Sequence, residues 1–287
     1  MNSADVRAYY ERNTRLFLAL GAGRRARTIH RAVWASGIVS ADEALHYTSR
    51  LLLHEIECLR HDRLAAPVHI IDLGCGVGGT LFYLASHFDG PLSAVGVTIS
   101  PLQVRLAREQ AARLGLQDRF QFIEADFLCL PDLTPADIVF SIEAFVHAPA
   151  PERYMAQAAR VVRAGGRLIV CDDFLSPRAA NGALTAQEQR WLRTFQEGWH
   201  APGLSSAAQI TELAGAHGFK LLDDRDLTPD LRVLSWNMGV IDALIRLGRL
   251  TWLPSAYWRS TLGSLALQQC LKAGLTTYRF LVFARCD

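Results

Sequence analysis

The run Ile70-Ile71-Asp72-Leu73-Gly74-Cys75-Gly76-Val77-Gly78-Gly79-Thr80 constrains the fold more than any other segment. Val68 to Leu73 is a short apolar stretch without helical spacing, the sign of a buried parallel strand. It ends in a cluster of glycines before a helical pattern, which is how a chain brings its backbone close to a ligand. Gly74, Gly76 and Gly79 satisfy G-x-G-x-x-G, so a dinucleotide is the first candidate. That ligand wants an acid at the end of the second strand to hold its ribose, and here the strand ends Gly96-Val97-Thr98-Ile99-Ser100. Asp72, two residues before the loop, would also sit badly against a pyrophosphate and well beside a cationic ligand. A tight turn serving only helix packing is the structural alternative.

Strand-like runs then recur at Leu92 to Val97, Phe120 to Glu124, Asp137 to Ser141, Arg167 to Asp172, Phe219 to Asp224 and Tyr278 to Ala284, alternating with helical patterns. This predicts an α/β fold, a seven-stranded, mostly parallel sheet with helices on both faces. Ligands of such sheets lie outside the carboxyl ends of the strands. Residues 1–65 read as an N-terminal helical lid, 66–230 as the Rossmann-like core, 231–275 as an inserted Trp-rich helical cap, and 276–287 as the last strand of the core.

Half of the 287 residues are apolar, and 30 basic against 28 acidic residues leave a formal charge of +2. Such a balance argues against a nucleic-acid partner and against disorder. All the basic residues except Lys220 and Lys272 are arginines, forked donors suited to anionic groups. The six cysteines form no C-x-x-C pair and no metal spacing, which points to a reducing, cytoplasmic setting. No targeting segment is read at the N-terminus. The longest apolar region, about residues 231 to 253, is broken by Arg232, Asp242, Arg246 and Arg249, so no transmembrane segment is expected. A helix lying on a membrane surface stays open.

The pattern D-x-G-x-G-x-G-G from Asp72 to Gly79 resembles the cofactor loop of S-adenosylmethionine-dependent methyltransferases of the Rossmann-like class I type. The resemblance implies that Gly74 and Gly76 let the backbone approach the amino-acid part of the cofactor, and that Asp72 organises the loop. Glu124-Ala125-Asp126-Phe127 resembles the family's adenine-binding stretch, with Asp126 accepting from the adenine amino group and Phe127 covering the ring. A helix cap is the structural alternative for Asp126. Arg163-Ala164-Gly165-Gly166-Arg167 resembles the family's structural turn before the fifth strand.

Thr98-Ile99-Ser100-Pro101-x-Gln103 departs from the acid-ending version and resembles sterol, tocopherol and cyclopropane-fatty-acid methyltransferases. By that resemblance Thr98 and Gln103 replace the ribose-binding acid. Ser141-Ile142-Glu143-Ala144-Phe145-Val146-His147-Ala148-Pro149 resembles the sterol methyltransferase string, and prenyl diphosphate methyltransferases carry a glutamate at the corresponding strand end. Ile142 joins the cofactor-binding set. The implied reaction is methylation of an alkene carbon in an isoprenoid chain, with cyclisation as a further step left open.

A π bond that attacks a sulfonium methyl group leaves a carbocation, which the site must orient, stabilise and keep dry. A carboxylate such as Glu143 suits both the cation and the removal of a proton. His147, four residues on, shares its face if a helix begins there. Aromatic rings stabilise cations without capturing them, and Tyr9, Tyr10, Trp34 and Trp199 are candidates for the substrate wall, against the alternative that each is ordinary core. No metal site is read. Magnesium enters only if the acceptor is a diphosphate. An O- or N-methyltransferase using His147 as base, a cyclopropane-lipid synthase, and a cofactor-binding protein without catalysis stand as alternatives. Exchange of N-terminal helices between subunits would make the chain a homo-oligomer.

Overall fold

The computed structural model describes residues 30–61, 67–182, 184–233, 237–250 and 256–286. Tyr9, Tyr10 and most of the expected lid lie outside them. The strands are β1 Val68–Leu73, β2 Leu92–Thr98, β3 Phe120–Glu124, β4 Ala136–Ile142, β5 Val162–Leu175, β6 Phe219–Asp226 and β7 Thr276–Arg285. They form one sheet in the order β3-β2-β1-β4-β5-β7-β6. β1 to β5 run parallel, whereas β7 lies antiparallel between β5 and β6. The expected seven-stranded, mostly parallel sheet is therefore present.

Two cores follow from the two-residue period of the strands. Ile70, Ile138, Phe140, Ile169 and Phe280 point to one face and pack with Leu52 and Ile56 of helix Tyr47–His61. Ile71, Val139, Leu168, Val170 and Leu281 point to the other and meet Tyr154, Met155 and Ala158 of helix Pro151–Val161. Each such apolar side chain contributes roughly 1.5–3 kcal/mol by leaving water. The turn expected before the fifth strand is absorbed into β5. The register to β4 jumps from Ala136–Val162 to Ile138–Arg167, and Gly165 turns the chain at φ 66°.

A third core is helical. Helix Ala186–Trp199 packs through Trp191, Leu192 and Phe195 against Ile241, Ile245, Ala266 and Leu267 of helices Met238–Leu250 and Ala256–Lys272. Buried Asp242 ties helix Met238–Leu250 to helix Ala186–Trp199 by accepting from Trp191 Nε1 at 2.8 Å, and within its own helix it accepts from Arg246 Nε at 2.7 Å. No helix among the described residues is long and apolar enough to cross a membrane.

The segment from His30 runs as a strap beside the sheet. Val33 bridges Leu231, Val33 N donates to Ala44 O at 2.9 Å, and Trp34 N donates to Asp230 O at 2.7 Å. These bonds place Arg31 by the carboxyl ends of β4 and β5.

Candidate active site

The glycine loop is pinned to β2 by Gly74 N and Cys75 N, both donating to Val97 O at 2.9 Å. Gly74 has φ 99°, and a Cβ there would lie 2.3 Å from the Cβ of Ala144. The loop thus touches the turn that follows β4. Gly76, at φ 53°, has nothing within 4 Å of where its Cβ would be. Asp72 is buried at the end of β1, and burial pushes its carboxyl well above the usual range. A cation brought alongside would draw it down again. An open backbone at Gly76 and a buried carboxyl that favours a cation fit the sulfonium amino-acid end of S-adenosylmethionine.

The Thr98 hydroxyl donates to Gln103 Oε1 at 2.6 Å, and both residues are buried. Ser100 caps the helix Pro101–Arg113, accepting from Gln103 N at 3.3 Å. Thr98 and Gln103 are therefore brought together, with the hydroxyl proton of Thr98 given to its partner. Asp126 Oδ1 accepts from Leu128 N at 2.8 Å and shapes the turn after β3. The Phe127 ring meets Tyr154 edge-on at 5.5 Å. Ile142 is the buried last residue of β4.

Glu143 follows Ile142 with φ 52°, in the left-handed region, where a residue with a Cβ is strained by roughly 1–2 kcal/mol. Its N–H donates to Cys171 O at 2.8 Å. Its Oε1 accepts from Arg31 N at 2.7 Å and from the Tyr278 hydroxyl at 2.9 Å. Arg31 reaches on to Asp173, with Nη1 2.9 Å from Oδ1 and Nη2 bonded to Oδ2. The guanidinium carbon lies 4.5 Å from the centre of the Tyr278 ring and 5.7 Å from that of Trp199. Asp173 and Tyr278 are direct cross-strand partners.

The electrostatics follow from burial. Asp172 accepts from Val146 N at 2.9 Å and Asp173 N at 2.8 Å, yet burial and then the charge of Asp173 push its carboxyl up to about 8. Burial also raises Asp173, and Arg31 holds it back. Burial alone would lower the Arg31 guanidinium, but Asp173 and Glu143 more than offset this and raise it. The Tyr278 hydroxyl is pushed well up, by burial first, so it stays a donor.

The condition under which Glu143 and His147 would share a helix face, a helix beginning there, is not met. A left-handed residue cannot start a right-handed helix, and the chain instead turns at Glu143 and Ala144 into a short 3-10 turn, Phe145–His147. His147 Nδ1–H donates to His200 O at 2.9 Å. Burial lowers its pKa, so the ring is neutral and Nε2 holds the lone pair. Trp199 donates from Nε1 to Ser264 Oγ at 3.1 Å and borders Arg31. Trp34 instead carries the Arg232 guanidinium 3.2 Å above its ring.

Sequence reasoning missed Arg31, Asp173 and Tyr278. Asp172 stood out only as the end of a strand run, and Tyr278 only as the start of the last one. Among the described residues no group of three or more His, Cys, Asp or Glu is placed to hold a metal.

The family described as a methyltransferase domain matches residues 65–200. An O-methyltransferase of Pyrenophora dematioidea is 30% identical over 241 residues, covering 84% of this chain and 83% of that one. A 24-methylenesterol C-methyltransferase 2 of Oryza sativa subsp. japonica is 30% identical over 203 residues, 69% of this chain, which spans about half (51%) of that relative's length. Among solved structures, geranyl diphosphate C-methyltransferase from Streptomyces coelicolor, held with magnesium, geranyl diphosphate and S-adenosylhomocysteine, superimposes with a TM-score of 0.63 at 18% identity. That likeness covers 96% of this chain and 98% of the other, and it concerns the fold.

Proposed function

This chain belongs to the S-adenosylmethionine-dependent methyltransferases, and from that premise we propose that it methylates an alkene carbon of an isoprenoid chain through a carbocation. The acceptor is a prenyl diphosphate, a prenylated natural product or a sterol-like molecule. One observation carries this reading: Glu143 is held in a strained backbone conformation at the carboxyl end of β4, with Oε1 taken by two donors. Strain of this kind persists where the surroundings enforce it and clusters at working sites.

When bound, the cofactor supplies an electrophilic methyl group on a sulfonium centre. Asp72, Gly74, Gly76, Thr98, Gln103, Asp126, Phe127 and Ile142 are the residues proposed to hold it. With Oε1 occupied, Oε2 of Glu143 is the oxygen that stabilises the new cation or removes a proton from the carbon beside it. The Trp199 ring offers a π face to positive charge and helps to exclude water. Magnesium enters only with a diphosphate acceptor. The names of the sterol relative and of the geranyl diphosphate enzyme support an isoprenoid acceptor.

Incubation with methyl-labelled S-adenosylmethionine and a panel of prenyl diphosphates, sterols and geranylated small molecules tests the reading. Label is expected on carbon, and label found only on oxygen or nitrogen would sink it. A second reading, methylation of a heteroatom in a small secondary metabolite, is favoured by the neutral His147 ring oriented by His200 and by the O-methyltransferase relative. There His147 Nε2 would be the general base.

A further inference from the structure

Arg31 touches Glu143 in two ways and Asp173 in a third. Its backbone N–H fills one site on Oε1. Its Nε lies 4.0 Å from Oε2 and has no hydrogen-bond partner, although it is buried. Its forked end is spent on Asp173, and its flat face rests on Tyr278, the residue that fills the other site on Oε1. One side chain thus spans the ends of β4, β5 and β7.

We propose that Arg31 is the positioning residue of Glu143, selecting Oε2 as its working oxygen and tying it to the Asp173 carboxylate through the guanidinium fork. This rests on the reading of Glu143 given above. Without the guanidinium, Asp173 would face Glu143 with no cation between them in a low-dielectric site, and the geometry would be lost. A planar fork with a stacking face suits this position better than a lysine ammonium does. Because Arg31 sits on the strap, the site is complete only while the strap is docked through Val33 and Trp34. Among the described residues, the titratable groups around it are Asp172, Asp173 and Cys171 on β5, Tyr278 on β7, His30 on the strap, His147 after β4 and Cys270 on helix Ala256–Lys272.

The test compares Arg31→Met, Arg31→Lys and Asp173→Asn in the full chain, reading kcat, KM, the pH profile of kcat/KM, and S-adenosylhomocysteine affinity by calorimetry. The backbone N–H survives each change, so the guanidinium alone is tested. Arg31→Met is expected to lose about 100-fold in kcat, the scale of a misplaced reacting group, with S-adenosylhomocysteine affinity kept. Its acidic limb moves to higher pH, because Asp173 loses the cation that holds it down. Arg31→Lys keeps the limb near its place and recovers part of kcat. Asp173→Asn removes the carboxyl that makes this limb and leaves the fork without its partner, so kcat falls and the limb is lost.

A raised KM with an unmoved limb in Arg31→Met would overturn the proposal. If that variant binds no S-adenosylhomocysteine, Asp173→Asn decides: an unchanged kcat and limb overturn it, and a lower kcat with the limb lost supports it. Glu143→Gln separates the two levels. Full activity there defeats the reading of Glu143, whereas an inactive Glu143→Gln beside a fully active Arg31→Met defeats only the role of Arg31.

Discussion

The Tyr278 hydroxyl donates to Glu143 Oε1 at 2.9 Å, from a ring whose face lies 4.5 Å from the Arg31 guanidinium carbon. One tyrosine therefore fixes both the carboxylate and the cation next to it. The bond joins the end of β4 to β7, two strands that are separated in the sheet by β5.

Tyr278→Phe removes the donor and keeps the ring. Arg31 stays in place, and Glu143 loses one of two restraints on Oε1. The expected result is a fall in kcat of about tenfold or more, with a stability loss of about 1 kcal/mol. Steady-state kinetics and a urea midpoint check it; unchanged kcat would remove Tyr278 from the account.

The loop glycines separate fold from cofactor binding. Gly76→Ala meets no neighbour, so its structural cost is the left-handed backbone alone, roughly 1–2 kcal/mol, while S-adenosylhomocysteine affinity falls at least about tenfold. Gly74→Ala drives a methyl into Ala144, adding roughly 1–3 kcal/mol of overpacking. Calorimetry and thermal melts should show Gly76→Ala impaired mainly in binding and Gly74→Ala mainly in stability.

Buried Asp172 and the buried histidines should pull stability in opposite directions as pH changes. Asp172 is raised from 3.8 to about 8 in the folded protein, so its contribution is full below its unfolded range and lost as pH rises through the folded value. His30, His46, His69 and His147 are lowered by burial from 6.5. Their contribution is present above that value and lost as pH falls below it. Each fully titrating group changes the slope by up to about 1.4 kcal/mol per pH unit. Urea unfolding should show Asp172→Asn removing a decline in stability that runs between pH 3.8 and about 8, and His147→Asn removing part of the loss below 6.5.

The fold was legible because parallel strands buried on both faces announce themselves as apolar runs and the glycine loop marks the first crossover. The residues proposed to hold the cofactor were nominated for the same reason, since they sit at strand ends within 31 positions of Asp72, just after β3, or at the end of β4. The chemistry around Glu143 was only half legible. Arg31 stands 112 residues away from it and Tyr278 135, and their meeting depends on the antiparallel register of β5 and β7. Nothing local marks that register. The unmet condition on Glu143 and His147 has a similar source: four-residue spacing suggests a helix, and only the contact between Gly74 and Ala144 reveals a turn there.

The most direct test is single-turnover methylation by Glu143→Gln beside His147→Ala, with the acceptor found in the labelled panel and S-adenosylhomocysteine affinity measured in parallel. Glutamine keeps the shape of Glu143 and removes its charge. The account requires Glu143→Gln to lose about 100-fold or more with cofactor affinity preserved, and His147→Ala to lose much less. A nearly active Glu143→Gln, with the loss confined to His147→Ala, would contradict carbon methylation and assign the site to a heteroatom acceptor.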